Sequence, residues 1–124
     1  MPFLHLVSNV QPSDARAFIK EFSKLASETL GKPEKAVAID FRYNESLSFG
    51  GTFEPAFLLT IGSLINVNPE TNAEFSGVFF AFFKEKLGIS GERGFIEFVD
   101  PTAAYIGYDG TTIAKMWEKA GVKH

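Results

Sequence analysis

Asn9-Val10-Gln11-Pro12 returns 57 residues later as Asn66-Val67-Asn68-Pro69, and the reading of the whole chain follows from that pair. In the same register Phe18 meets Phe75, Phe22 meets Phe79, Glu28 meets Glu85, and Leu30-Gly31 meets Leu87-Gly88. Ile39-Asp40-Phe41 then meets Ile96-Glu97-Phe98, and Gly50 meets Gly107. Matches that run through several elements at one spacing, without a gap, point to a duplicated supersecondary unit.

Each copy opens on a strand. Phe3 to Asn9 alternates and is rich in β-forming residues, as is Phe57 to Ile61 in the second copy. Phe18, Phe22, Leu25, Ala26 and Thr29 then fall at steps of three and four, with Arg16, Lys20, Glu21 and Lys24 outside the stripe. That pattern predicts an amphipathic helix from about Ser13 to Leu30. Phe75, Phe79, Phe82, Phe83 and Leu87 repeat the stripe. Asn68, followed by Pro69 and Glu70, supplies a capping side chain, a residue with no N–H to lose, and an acid near the positive dipole end. Gly31 and Gly88 stop the helices, because glycine adopts the left-handed conformation cheaply. Strands follow at Ala36 to Phe41 and Phe95 to Asp100.

These are two tandem βαβ units, and the right-handed crossover makes the strands within each unit parallel. The expected fold is α+β: a four-stranded mixed sheet with two helices on one face. It forms a single domain over residues 1–124, with repeats at about 2–57 and 59–114 and a tail at 115–124. The second face of the sheet carries apolar side chains from stretches such as Phe57-Leu58-Leu59-Thr60-Ile61, and a partner subunit is its expected cover. Fourteen Phe in 124 residues give the same expectation, since a chain this size buries only about two thirds of its surface alone. The tail from Ile113 to His124, with Met116, Trp117 and Ala120 among lysines, is expected to add a short helix or strand at such an interface.

Composition removes whole classes of function. Twelve Lys and Arg against fifteen Asp and Glu give a net charge of −3 without a basic block, so no nucleic-acid partner is expected. No cysteine occurs, which excludes disulfides, thiolate metal sites and cysteine nucleophiles. Met1-Pro2-Phe3-Leu4-His5 has no positive n-region and no apolar run is long enough to span a bilayer, so a cytoplasmic chain without membrane insertion is expected. The only histidines are His5 and His124, too few for a His-based metal site, and a Ser-His-Asp triad would depend on His5 within a strand. Phe49-Gly50-Gly51-Thr52 reads as a turn rather than a phosphate loop, and Asn44-Glu45-Ser46 is a formal sequon in a chain without a leader.

Pro2 is the residue with chemistry left to it. A small residue after the initiator Met permits Met removal, and proline then presents a secondary amine at the chain start. Burial against Phe and Leu would disfavour its cation and give a general base that works near neutral pH. With Met1 retained, that nitrogen is a tertiary amide without basicity. The plain alternative is that Pro2 only opens an edge strand. Lys32 also has two readings: complement to the helix dipole, or binder of an anionic substrate.

Taken together, Met1-Pro2-Phe3-Leu4, Leu30-Gly31-Lys32-Pro33, Phe49-Gly50-Gly51-Thr52-Phe53-Glu54-Pro55, Leu87-Gly88-Ile89-Ser90 and Ile96-Glu97-Phe98 resemble the macrophage migration inhibitory factor family. That family includes D-dopachrome tautomerase and lies within the tautomerase superfamily. The likeness covers about residues 1 to 114. It implies a homotrimer with active sites between subunits, and keto-enol tautomerisation of phenylpyruvate-like 2-keto acids or dopachrome-like compounds. It implies Pro2 as the base, Lys32 on a substrate carboxylate, the Leu64 backbone N–H on a substrate oxygen, and Tyr108 as an aromatic wall near Ile106 and Ile113. Phe95 stands where a Tyr often reaches across the subunit boundary, Glu97 where an Asn is familiar, and Ala36 where a second aromatic is common. An ionised Glu97 near Pro2 would favour the protonated amine and repel anions. Ala56 and Leu59 replace the cysteine pair of some members, so no thiol-disulfide activity is expected.

The resulting expectation is a cofactor-free isomerase, since one positioned base and electrostatic anchoring suffice for the reaction. The competing expectation is a secreted, cytokine-like protein that binds a cell-surface receptor and keeps only a vestigial pocket. A third is a trimeric binding module with neither role.

Overall fold

The computed structural model describes residues 1–121, so the expectation attached to His124 lies outside the described residues. Strand β1 (Phe3–Ser8) leads to helix α1 (Ala15–Leu30), a 3-10 turn at Glu34–Ala36 and strand β2 (Ala38–Tyr43). Strand β3 (Phe57–Gly62), helix α2 (Pro69–Leu87), a 3-10 turn at Gly91–Arg93 and strand β4 (Gly94–Val99) repeat that order. A 3-10 turn at Ala103–Tyr105, a short hairpin of β5 (Gly107–Tyr108) and β6 (Thr111–Thr112), and helix α3 (Ile113–Ala120) follow. The four long strands make one sheet in the order β2-β1-β3-β4. Strands β1 and β2 are parallel, as are β3 and β4, while β1 and β3 run antiparallel down the middle. The sheet is therefore mixed, as expected.

The helix ends have local causes. Asn68 accepts from Thr71 N at 3.0 Å while Thr71 Oγ1 accepts from Asn68 N at 3.3 Å, a reciprocal capping box with Pro69 as the first helical residue. In the first unit Gln11 stands where Asn68 does, and the helix instead starts at Ala15, after Asp14 accepts from Ala17 N at 3.0 Å. Helix α1 is accordingly 16 residues long and α2 is 19. Gly31 and Gly88 close them at φ 67° and 68°.

The register of the duplication holds through the helices but slips at the opening strands. Leu4 stands opposite Ile39 and Leu59 opposite Ile96. Ile39 and Ile96 obey the 57-residue spacing, whereas Leu4 and Leu59 are two residues closer together. A slip of two keeps the alternation of side chains across the sheet, so both strands still turn the same parity toward the helices.

Leu4, Leu6, Phe57, Leu59 and Ile61 face the helices and are buried with Phe18, Phe22, Phe79, Phe82 and Phe83. Rings interlock across this layer, with Phe22 centroids 5.4 Å from Phe83 and 5.9 Å from Phe79, both edge-on. Each ring so buried stabilises the fold by about 2–3 kcal/mol. Much of the Phe content is thus used inside one chain, and the composition argument for a partner rests on a smaller set: Phe53 at 67% and Phe95 at 68% exposure, with Leu58 and Tyr105.

The far face of the sheet is also more polar than the sequence suggested. Of Phe57-Leu58-Leu59-Thr60-Ile61, only Leu58 and Thr60 point there. One cross-strand row on that face is Asp40, His5, Thr60 and Glu97. His5 Nδ1 lies 3.3 Å from Asp40 Oδ2, and Arg42 Nε donates to the same oxygen at 3.0 Å. His5 is thus a surface partner of Asp40, whose carboxyl is held below the usual range first by His5 and then by Arg42.

Candidate active site

The N-terminal end of β1 opens into a cleft of about 690 Å³. Pro2 is fully buried in its wall, and its carbonyl accepts from Ala38 N at 3.0 Å, so the start of β1 is pinned to the start of β2. Lys32 reaches the cleft from the end of α1. Its backbone is held there because Lys32 N donates to Ser27 O at 3.1 Å and Ser27 Oγ donates to Lys32 O. Lys32 Nζ donates to the Leu64 carbonyl at 3.3 Å, which ties the loop after α1 to the loop after β3.

Leu64 is buried and lines the same cleft. Among the described residues its own N–H has no acceptor. An amide left without an acceptor at the wall of a cleft is free to donate to a ligand oxygen. The backbone around it is held in an unusual shape by one carboxylate. Asp100 accepts from Ile65 N at 3.0 Å through Oδ2 and from Thr102 N at 2.9 Å through Oδ1. Both donors are β-branched residues at positive φ, 78° and 76°, a conformation that costs about 1–3 kcal/mol each. Asp100 thus fixes the turn that presents the Leu64 amide.

The amine at the start of the chain, carried on Met1, also lies in the cleft. Its pKa is pushed below the ordinary 8.0 of a terminal amine, first by burial and second by the positive charge of Lys32. An amine in this place is biased toward its neutral, basic form. The rest of the wall includes Val37, Ile106, Tyr108 and residues of α3.

With this geometry in place, comparison with known proteins decides the family. The family profile described as Macrophage migration inhibitory factor (MIF) matches residues 1–114. The chain belongs to the macrophage migration inhibitory factor family. A "Macrophage migration inhibitory factor homolog" of Trichuris trichiura is 37% identical over 113 residues, covering 90% of this chain and 99% of that protein. A "D-dopachrome decarboxylase-B" of Xenopus laevis is 36% identical over 117 residues, covering 91% of this chain and 98% of that protein. The solved structure of macrophage migration inhibitory factor from Trichinella spiralis superposes with a TM-score of 0.81 at 33% identity, over 89% of this chain and 98% of that one.

The residues expected from the MIF resemblance separate into two groups. Pro2, Lys32, Leu64 and Tyr108 meet in one cleft, with Ile106 and Ile113 beside them and Ala36 leaving space at the rim. Phe95 and Glu97 do not join it within one chain. They stand on β4, where Phe95 is largely exposed and packs at a tilt against Phe49, with 5.0 Å between centroids. Glu97 accordingly contributes nothing to the depressed pKa of the amine in the single chain.

Four residues that shape the MIF-family cleft were not assigned to it from the sequence. Lys35, three residues after Lys32, adds a second cation to the rim. Asp100 acts through backbone bonds that span 35 positions to Ile65, a contact without a local signal. Met116 and Trp117 enter the wall from α3. Among the described residues no helix is long and apolar enough to cross a membrane, and no group of three or more His, Cys, Asp or Glu could hold a metal ion.

Proposed function

We propose that the chain is a cofactor-independent keto-enol tautomerase of aromatic 2-keto acids, with Pro2 as general base once Met1 is removed. Membership of the MIF family supports cytokine-like or tautomerase activity. The observation that favours the enzyme is that the Met1 amine, one residue from Pro2, lies in the cleft and is held below its ordinary pKa by burial and then by Lys32, the same causes that would act on a Pro2 amine. A neutral secondary amine there removes a proton from the carbon next to the carbonyl of a phenylpyruvate-like acid. The C–H electron pair becomes the new C=C bond, and the carbonyl pair moves to oxygen. Lys32 and Lys35 hold the carboxylate, and the Leu64 N–H donates to the developing oxyanion. The protonated Pro2 then returns its proton to that oxygen, which gives the enol and restores the base.

A homotrimer completes the proposal. A neighbouring copy would bring Phe95 and Glu97 from its β4 to the mouth of the cleft, and their exposure in the single chain supports that role. Glu97 would then offset part of the effect of Lys32 on the base. The second reading, a receptor-binding protein, is favoured by Tyr105, which is 82% exposed and outside the cleft lining.

The test is ultraviolet measurement of phenylpyruvate keto-enol interconversion, on protein whose intact mass shows loss of Met1, with Pro2→Gly beside it. The proposal predicts turnover that falls by about 100-fold or more in the variant, the usual contribution of a positioned base. Equal rates in both proteins, or no turnover in the correctly processed protein, would overturn it and put the receptor-binding reading first.

A further inference from the structure

The profile match ends at Ala114, yet part of the cleft wall lies beyond it. Helix α3 is held at both ends: Thr112 Oγ1 accepts from Lys115 N at 3.2 Å, and Gly121 closes it at φ 72°. Ile113 N donates to Ile106 O at 2.9 Å, which fastens the helix to the segment after the 3-10 turn at Ala103–Tyr105. Ile113, Met116 and Trp117 lie three and four residues apart on one face and are half-buried, whereas Lys115, Glu118 and Lys119 are exposed. No residue of α3 is fully buried within the chain. Its apolar face therefore does not serve the core between helices and sheet, and all three of its members line the cleft that contains Pro2.

We infer that α3 is a specificity wall, in which Met116 and Trp117 select anions bearing an aryl or comparably bulky apolar group. This deepens the proposed function and rests on the cleft being its substrate site. Lys32 and Lys35 would bind the carboxylate of any small acid and cannot tell one from another. Discrimination needs apolar surface near that anchor, and an indole face with a thioether supplies it for a ring in particular.

The chain has a single tryptophan, and it is Trp117, so its fluorescence reports directly on occupation of this wall. The probes are 3-phenylpropionate and propionate, two acids that share the carboxylate, differ by the ring, and cannot be turned over. In the full-length protein 3-phenylpropionate is expected to change the Trp117 emission and to bind at least tenfold more tightly than propionate by calorimetry. Trp117→Ala and Met116→Ala are each expected to shrink that ratio by about three- to tenfold, the scale of one aromatic contact, and Trp117→Phe to restore most of it. The ratio distinguishes a wall from a folding defect, which would weaken both acids together. An unchanged ratio in both alanine variants, or saturable binding of 3-phenylpropionate with no response from Trp117, would overturn the inference. Failure of the tautomerase reading looks different: the ratio shrinks in the variants while phenylpyruvate is not turned over, and the wall stands in a binding site without catalysis.

Discussion

The loop between α1 and β2 and the loop between α2 and β4 hold equivalent places in the two βαβ units, and they are used in opposite ways. In the second unit Arg93 donates to the carbonyls of Phe49, Glu54 and Pro55 at 2.9, 2.8 and 3.2 Å, and its guanidinium lies 5.2 Å from the Phe49 ring centre. Asn9, at the neighbouring end of β1, donates to Leu47, Phe53 and Glu54 carbonyls and accepts from Ala56 N at 2.8 Å. The segment that leads into β3 is thereby fastened over that end of the sheet. In the first unit the position of Arg93 is taken by Ala36 and that of the buried Ile89 by Lys32. Among the described residues no such strap crosses this end, and a cleft remains with the Met1 amine inside it. Duplication produced two matching ends, and the path of the chain made one structural and left the other open to a ligand.

The covered end depends more heavily on its asparagine than the open end does. Asn9 and Asn66 are the paired residues of the repeat, but among the described residues Asn66 makes two side-chain bonds, donating to Leu30 O at 2.8 Å and accepting from Ser63 Oγ at 2.6 Å. Asn9→Ala is expected to cost about 2–3 kcal/mol in urea unfolding and Asn66→Ala about 1–2 kcal/mol, because more backbone partners lose their bond in the first. Equal losses would mean that the covering segment is held mainly by Arg93.

The glycines give a smaller contrast. A Cβ at Gly94 would enter the ring of Phe57, and one at Gly62 would enter the ring of Phe3. Phe57 is fully buried, so Gly94→Ala must displace packed core and is expected to cost about 1–3 kcal/mol. Phe3 is half-buried on the far face and can swing aside, so Gly62→Ala should cost less than about 1 kcal/mol. Thermal unfolding of the two variants reads the difference, and the reverse order would show that Phe3 is fixed more firmly than its exposure suggests.

The smallest effect sharpens the open end. A base works only when neutral, so turnover falls as pH drops through the pKa of the amine. The Met1 amine in this cleft is pushed below its ordinary pKa, first by burial and then by Lys32; a Pro2 amine exposed to the same two causes stays neutral to more acidic pH than an ordinary amine, and the acid limb of kcat/KM is then displaced downward. Lys32→Gln removes the second cause and leaves burial, so the limb should move to higher pH while the overall rate also falls. A limb that stays in place would make burial the whole cause.

The sequence made some of this legible and not the rest, for physical reasons. Periodicity and caps are local, so Asn68, Gly31, Gly88 and the Phe stripes of α1 and α2 placed the helices correctly. Helix α1, expected from about Ser13, starts at Ala15 because Asp14 supplies the cap. The two-residue slip of β3 against the repeat was invisible because it preserves parity. Lys32 and Leu64 were reached through family resemblance, whereas their bond across 32 positions required the fold. Asp100 and Trp117 could not have been found by spacing, since one acts through distant backbone amides and the other through where α3 comes to rest.

Covalent labelling reads whether the Pro2 amine at the open end is neutral and nucleophilic near pH 7. Protein confirmed by mass to begin at Pro2 is treated near pH 7 with one equivalent of 3-bromopyruvate, and the adducts are mapped by peptide mass. A neutral amine attacks the bromomethyl carbon, bromide leaves, and the amine proton passes to water. The account predicts a single adduct on the Pro2 nitrogen, slowed by 3-phenylpropionate. Adducts spread over His5 and the lysines, with Pro2 unmodified, would contradict it.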